Sequence, residues 1–259
     1  MEKGLLAGNS TAEVALQLRI SDTLLVPRYL EQTYWWAYLH PKGVRFFERQ
    51  WLVNLILWGN FARLRDAALR EMGETIAGRT LQVACVYGDF TPRVVERLAP
   101  EARLDVVDVA PVQLENVKRK LKPGSNVHLH HQDSTELAFP DGTFDHVVVF
   151  FLLHEQPEEV RVKSIHEAMR VVRPGGRVIF VDYHRPSLFN PFRYIMTPIL
   201  RILEPFAQDL WRREIVSWVG EGLLEGFHKE TFFAGLYQKV VLRRAVAQDD
   251  GGILPASGR

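Results

Sequence analysis

From residue 76 to residue 244 the chain alternates short apolar runs with charged amphipathic stretches, and that alternation admits few folds. The runs TLQVACV (80–86), LDVVDV (104–109), VHLH (127–130), FDHVVVFFLL (144–153) and RVIFVDY (177–183) read as strands. Helical patterns fill the gaps at 91–98, 111–121 and 158–170. The last of these opens with Glu158 and Glu159, acids suited to a helix N-terminus, and RPGG (173–176) ends it. Continuously apolar strands separated by helices predict a doubly wound, mostly parallel α/β sheet covered on both faces. The segment HKETFFAGLYQKVVLRR differs: two strands around Ala234-Gly235 predict an antiparallel edge hairpin.

Three further zones flank or interrupt this pattern. Residues 1–22 are polar and mixed and read as a loose arm. Residues 23–75 read as a helical cover and hold Trp35, Trp36, Trp51 and Trp58, four of the six tryptophans. Residues 186–225 read as a lid or membrane-facing insertion within a domain spanning 76–244, and 245–259 as a disordered tail. With 32 Lys and Arg against 31 Asp and Glu, the net charge of +1 gives no basis for a nucleic-acid partner. The single cysteine, Cys85, excludes an internal disulfide framework and reads as a small buried hydrophobe. The opening MEKGLLAGNSTAEV carries an acid and no long apolar run, so no secretory signal is expected, and no stretch suits a spanning helix.

In an open parallel sheet, ligands bind beyond the carboxyl ends of the strands. The first strand runs into ACVYGDFT (84–91), the second ends at Asp108, the third leads to Asp133 and Ser134, and the fourth ends at Phe150 and Phe151. A carboxylate at Asp108 can accept both hydroxyls of a ribose. Asp133, with Ser134, can meet the exocyclic amine of an adenine, and a phenylalanine can cover the ring. Each also has a plainer reading as a turn acid or a strand-core aromatic.

The blocks RTLQVACVYGDFT, LDVVDVAPVQLENVKRKL, HQDSTELAFPDGTFDHVVV and EAMRVVRPGGRVIFVDYH resemble, in order, the motifs of class I S-adenosylmethionine (SAM) dependent methyltransferases, and the ubiquinone and menaquinone methyltransferases in particular. The resemblance implies a Rossmann-like fold and a SAM site along Tyr34, Gln82, Ala84, Val86, Gly88, Asp108, Val109, Asp133, Ser134 and Phe150. The first loop departs from the family pattern. Gln82 stands at the usual acid, Ala84 and Val86 stand at two usual glycines, and Gly88 remains, with Tyr87 beside it. VACVYGDFT, together with the aromatic N-terminal zone, is similar to the methyltransferase-like enzymes of rhodoquinone biosynthesis. That narrower resemblance implies replacement of a ubiquinone methoxy group by an amino group, with SAM as amino donor and Mn2+ as cofactor. It also implies a cytoplasmic protein held peripherally at the inner membrane.

The altered loop has its own physical reading. An acid at position 82 would favour a protonated SAM amine, and a protonated amine has no lone pair for attack on a quinone. Tyr87 and His154 are the candidates for proton transfer. Asp182 and His184 are candidates to join a metal site, and Glu155 sits beside His154, but no spacing forms a self-contained metal motif. His128, His130 and His131 read as strand and surface residues, and Tyr29, like Tyr34, as a cover residue over SAM or core. WLVNLILWGNF (51–61) and PSLFNPFRYIMTPILRILEPFAQDLW (186–211) suit interfacial helices, a lid or core. Ordinary methyl transfer to a lipophilic acceptor, and a non-catalytic SAM-binding module, remain the competing functions. Oligomeric state stays open.

Overall fold

A computed structural model describes residues 17–19, 24–220 and 222–246. Eight strands form one sheet: β1 (Gln17–Arg19), β2 (Arg79–Val83), β3 (Arg103–Asp108), β4 (Val127–His131), β5 (Phe144–Phe150), β6 (Val172–Tyr183), β7 (Leu224–Phe232) and β8 (Tyr237–Arg244). Their spatial order is β1-β4-β3-β2-β5-β6-β8-β7. The first six pair in parallel, and β8 pairs antiparallel with both β6 and β7. The doubly wound sheet and its antiparallel edge hairpin are therefore as the sequence predicts. Of the expected loose arm, Gln17–Arg19 is an edge strand on β4. The rest of that arm and residues 247–259 of the tail lie outside the described residues.

The sheet works because its central strands are buried on both sides. Leu81 and Val83 of β2, Leu104, Val106 and Val107 of β3, and Val147, Val148 and Val149 of β5 are all buried. The helices are α1 (Pro41–Phe47), α2 (Gln50–Ile56), α3 (Phe61–Met72), α4 (Phe90–Val95), α5 (Pro111–Lys120), α6 (Glu158–Val171) and α7 (Phe192–Leu203), preceded by a π-helical segment, Leu30–Leu39. α6 buries Arg161, Ser164, Ile165, Ala168 and Met169, a helical stripe that faces the sheet.

Two features differ from the sequence reading. RPGG is not a loop between helix and strand: α6 passes directly into β6, and the ladder with β5 shifts register between Phe144 and His146 to absorb the extra residues. Gly176 is required there, because a Cβ would come within 2.9 Å of the carbonyl oxygens of Arg173 and Asp145. The first strand ends at Val83, earlier than the apolar run suggests, because Ala84 takes φ +69°. Phe151, just beyond β5, also has positive φ, at +54°. Both lie at the switch point, where β2 has β3 on one side and β5 on the other. Left-handed backbone at non-glycine residues is uncommon and concentrates at functional sites.

Candidate active site

Two cavities open at the carboxyl ends of β2, β3 and β5. The smaller, ≈ 50 Å³, is lined by Tyr29, Leu30, Val109, Asp133 and Ser134 around Asp108. The larger, ≈ 310 Å³, is lined by aromatic and aliphatic side chains, including Phe61, Tyr87, Phe150 and Tyr183, with His154, Glu155 and Glu204 as its charged groups. Tyr38, Cys85, Phe151 and Glu155 line both, so the two spaces adjoin.

Asp108 is fixed by its own backbone surroundings. Its Oδ2 accepts the Cys85 amide at 2.7 Å and its Oδ1 accepts the Ala110 amide at 2.8 Å. Burial raises this carboxyl, and the two amides work against that rise. Asp133 accepts the amide and hydroxyl of Thr135, each at 2.8 Å, a local turn that orients it beside Ser134. The Ser134 hydroxyl is bonded to the Ser164 hydroxyl at 2.8 Å and accepts from Gln156 at 3.1 Å. The apolar walls at Leu30, Val109 and Leu152 and the polar edge at Gln132, Asp133 and Ser134 have the chemistry an adenosine needs. Of the two phenylalanines, Phe151 reaches this cavity. Phe150 lines only the larger one and stacks on Phe90, 4.4 Å between ring centroids. Phe151 lies just past the end of β5, where its positive φ turns the chain away from the sheet, and it lines both cavities.

The altered loop is braced from outside. Gln82 is fully buried beneath it and lines neither cavity. Its amide donates to the Ala84 carbonyl at 2.9 Å and its oxygen accepts the Thr91 hydroxyl at 3.0 Å. Val86 faces the larger cavity and Ala84 the smaller. Gly88 sits at φ +80°, where a Cβ would meet the Phe61 ring at 2.9 Å, and its amide donates to Glu48 Oε1 at 3.2 Å. Lys120 donates to the carbonyls of Val86 and Gly88 at 3.0 and 2.9 Å and pairs with Glu48 at 3.0 Å. The carboxylate that position 82 lacks thus returns to the loop from the helical cover, with its charge matched by a lysine. Burial pushes the Cys85 thiol well up, which removes thiolate nucleophilicity.

Tyr87 lies elsewhere in the machinery than its sequence position suggests. Its hydroxyl donates to the Ala37 carbonyl at 2.6 Å and accepts from Gln113 at 2.9 Å, and its ring stacks on Tyr38 at 5.8 Å. The geometry makes it a strut between the loop and the π-helical segment. Tyr34, from that same segment, is buried against the larger cavity. Tyr29 lines the smaller one.

His154 and Glu155 occupy a short 3-10 turn, Leu153–Glu155, shaped by Asp182. Asp182 Oδ2 accepts the amides of Leu153 and His154, at 2.9 and 3.3 Å. His154 Nδ1 lies 2.9 Å from Asp182 Oδ1, in ion-pair rather than hydrogen-bond alignment, and its Nε2 lies 3.8 Å from Glu155. Burial alone would discharge this imidazole, but Asp182 and then Glu204 and Glu155 outweigh it and hold its pKa up at about 9. Burial pushes Glu155 up to about 8, with His154 opposing and Glu204 adding to the rise. Arg161, fully buried in α6, holds the turn from behind by donating to the carbonyls of Leu153, Gln156 and Phe206.

The expected metal candidates do not converge. His184 Nδ1 bonds the Gly235 carbonyl at 2.8 Å, and Asp182 is occupied by the turn. Among the described residues, no three of His, Cys, Asp and Glu are grouped to hold a metal ion, so these side chains do not fit the implied Mn2+ and no step is derived through it. His130 is bonded to buried Asp105 at 2.7 Å and His131 to the Val109 carbonyl at 3.0 Å; both lie in the strand as expected, but they are buried and not at the surface, because these partners hold their rings inward. Sequence reasoning missed Glu204, Tyr38 and Gln113. The one available signal was for Glu204, the single acid between Asp182 and Asp209 in an otherwise apolar and basic stretch.

Comparison with known proteins agrees with this geometry. Residues 80–176 match the family model described as a methyltransferase domain. The chain is 27% identical over 192 residues to the demethylmenaquinone methyltransferase of Bacillus licheniformis, covering 73% of this chain and 81% of that one. It is 31% identical over 137 residues to that of Staphylococcus aureus strain JH9, covering 53% and 56%. An O-methyltransferase family protein from Burkholderia thailandensis superimposes with a TM-score of 0.61 at 14% identity, covering 82% of this chain and 64% of that one. The N-methyltransferase NodS from Bradyrhizobium japonicum superimposes with 0.52 at 17% identity, covering 71% and 96%. The strand order and the matched segment together give the conclusion: residues 80–176 match a methyltransferase domain, and the chain has the Rossmann-like fold of the class I methyltransferases.

Proposed function

We propose that the chain is a SAM-dependent transferase whose acceptor is the ring of a lipophilic quinone or quinol, with methyl transfer as the reaction. The observation that carries this reading is the junction of the two cavities at Tyr38, Cys85, Phe151 and Glu155, which sets a nucleoside-type pocket against a large aromatic-walled one. The relatives named demethylmenaquinone methyltransferase support the acceptor class. When bound, SAM supplies an electrophilic methyl group. Asp108 holds the ribose, Leu152 and Phe151 flank the base, and the Phe61, Phe150 and Leu57 walls exclude water from the acceptor. The ring carbon that gains the methyl group loses a proton. Glu155, titrating at about 8 and lining both cavities, is placed to take it.

A second reading, replacement of a ubiquinone methoxy group by the SAM amino group, is favoured by Gln82. Position 82 carries an uncharged amide in place of an acid, and Glu48, which accepts the Gly88 amide, is paired with Lys120. Purified protein given SAM labelled with carbon-13 in the methyl group and nitrogen-15 in the amine, plus a short-tailed quinone and its quinol, separates the two. Methyl transfer predicts carbon-13 in the product and one S-adenosylhomocysteine per turnover. Nitrogen-15 in the product overturns it in favour of amination, and binding of SAM with neither product leaves only a binding module.

The acceptor's route supports a place at a membrane surface. Trp36 (40% exposed), Ile56 (43%) and Leu203 (47%) line the larger cavity and also reach solvent, so its mouth opens among exposed apolar side chains. Leu188, Phe189, Tyr194, Ile195, Ile199 and Ile202 extend that surface on α7 and the turn before it. Arg45, Arg49 and Arg201 are exposed nearby in sequence, suited to anionic headgroups. Among the described residues, no helix is long and apolar enough to cross a membrane.

A further inference from the structure

Glu204 is the acid that neither the sequence motifs nor the nucleoside pocket accounts for. It follows α7 directly, with its amide bonded to the Leu200 carbonyl at 2.8 Å, and Pro205 prevents the helix from continuing. Its neighbours Ile202 and Leu203 are exposed on the apolar surface, yet its own side chain turns inward and lines the larger cavity with Tyr34, His154 and Glu155. Its Oε2 and the Tyr34 hydroxyl are both buried, and although the two groups face each other closely enough to interact, neither makes a well-aligned hydrogen bond. Buried polar atoms are almost always well partnered, so a facing acid and phenol left misaligned on the wall of an apolar cavity point to a ligand oxygen that completes both. Phe47, Val53, Leu57, Phe61 and Phe150 give the cavity walls that suit a flat apolar ring, and the phenols of Tyr38 and Tyr183 also line it.

We propose that Glu204 and Tyr34 recognise the acceptor by its ring oxygen: the carboxyl and the phenol together hold one carbonyl or hydroxyl oxygen of a quinoid ring. This rests on the reading of the larger cavity as the acceptor site. Burial raises the Glu204 carboxyl, against His154 and the Tyr34 phenol and with a smaller addition from Asp182, which favours the protonated form that can donate to a carbonyl. As a neutral acid it can also accept from a hydroxyl, so one residue serves both oxidation states of the ring. Sites built to bond a substrate oxygen reject analogues that lack it, because the protein's polar groups are then left unpaired.

The test is equilibrium binding to the full chain by intrinsic fluorescence quenching. One probe is a 1,4-benzoquinone with a single isoprenyl unit, and the other is the isoprenyl benzene without ring oxygens. The wild-type protein is expected to prefer the quinone by at least about tenfold. Glu204→Leu should lose most of that preference by weakening the quinone while leaving the deoxygenated probe within about twofold. Glu204→Gln, which keeps a donor and an acceptor, should retain it within about threefold, and Tyr34→Phe should lose part of it. If Glu204→Leu and Tyr34→Phe both keep the wild-type preference, or if Glu204→Gln loses it as fully as Glu204→Leu, the assignment of Glu204 is overturned while the cavity stands. If the wild-type protein binds neither probe, the cavity is not the acceptor site and both readings fall. Thermal unfolding of each variant identifies one that fails to fold, in which case Glu204→Gln and Tyr34→Phe decide.

Discussion

His154 and Glu155 bind protons more tightly in the fold than in the unfolded chain, and that has a consequence for stability. Glu155 rises from 4.5 to about 8, so ionising it costs the native state and stability falls between those values. His154 rises from 6.5 to about 9, so its contribution is complete below 6.5 and lost as pH rises through about 9. Both act in the same direction. The thermal midpoint of the wild-type protein should therefore fall as pH is raised from 5 to 8, and Glu155→Gln, which cannot ionise, should flatten that fall. A midpoint that rises over this range, or an identical slope in the variant, would show that the turn does not hold its protons as the surroundings of Asp182 and Glu204 require. The same residues show what the sequence could and could not convey. The positions of Asp108 and Asp133 beside the smaller cavity were readable because strand ends in a parallel sheet converge on one edge. Gln82 was readable as a substitution, but not as a buried brace, since only folding puts Thr91 under it. That Phe151 lines the smaller cavity and Phe150 does not is a distinction that two adjacent phenylalanines in the sequence do not convey.

Among the elements, the parallel strands were readable because burial on both faces demands unbroken apolar runs, as in VVV at 147–149. The end of β2 was not, since TLQVACV stays apolar past the residue where the chain turns. α7 shows the opposite case. Its apolar residues suggested an interfacial or a core helix, and the structure buries only Met196 and Leu200 of it. The remaining face lies beside the mouth of the larger cavity, and Phe189 just before it is 96% exposed. Burying several such side chains at a bilayer boundary should give measurable affinity. The wild-type protein is expected to sediment with vesicles containing anionic lipid. The double variant Phe189→Glu/Ile202→Glu should bind them at least about tenfold more weakly while unfolding at the wild-type temperature. Equal sedimentation of the two proteins would remove this face from any membrane contact.

The molecule as a whole sets a small, polar-edged cavity beside a larger, aromatic-walled one, and its N-terminal helical segment lines both. Tyr29, Tyr34 and Tyr38 come from the N-terminal zone, and Glu204 comes from the insertion. The site is therefore closed by segments far apart in sequence from the motif-bearing sheet. The strand-end positions beside the cavities could be placed from the sequence because they follow from topology, whereas the side chains contributed by the cover and the insertion take their places only when those segments are seated. Arg161 ties the two together by bonding carbonyls of the His154 turn and of Phe206 in the insertion. The most direct test is a crystal structure with S-adenosylhomocysteine and a short-tailed quinol. The account predicts ribose hydroxyls on Asp108, the base against Leu152 and Phe151, and the sulfur facing a quinol ring in the larger cavity. A nucleoside bound elsewhere, with Asp108 still engaged only by the Cys85 and Ala110 amides, would contradict it.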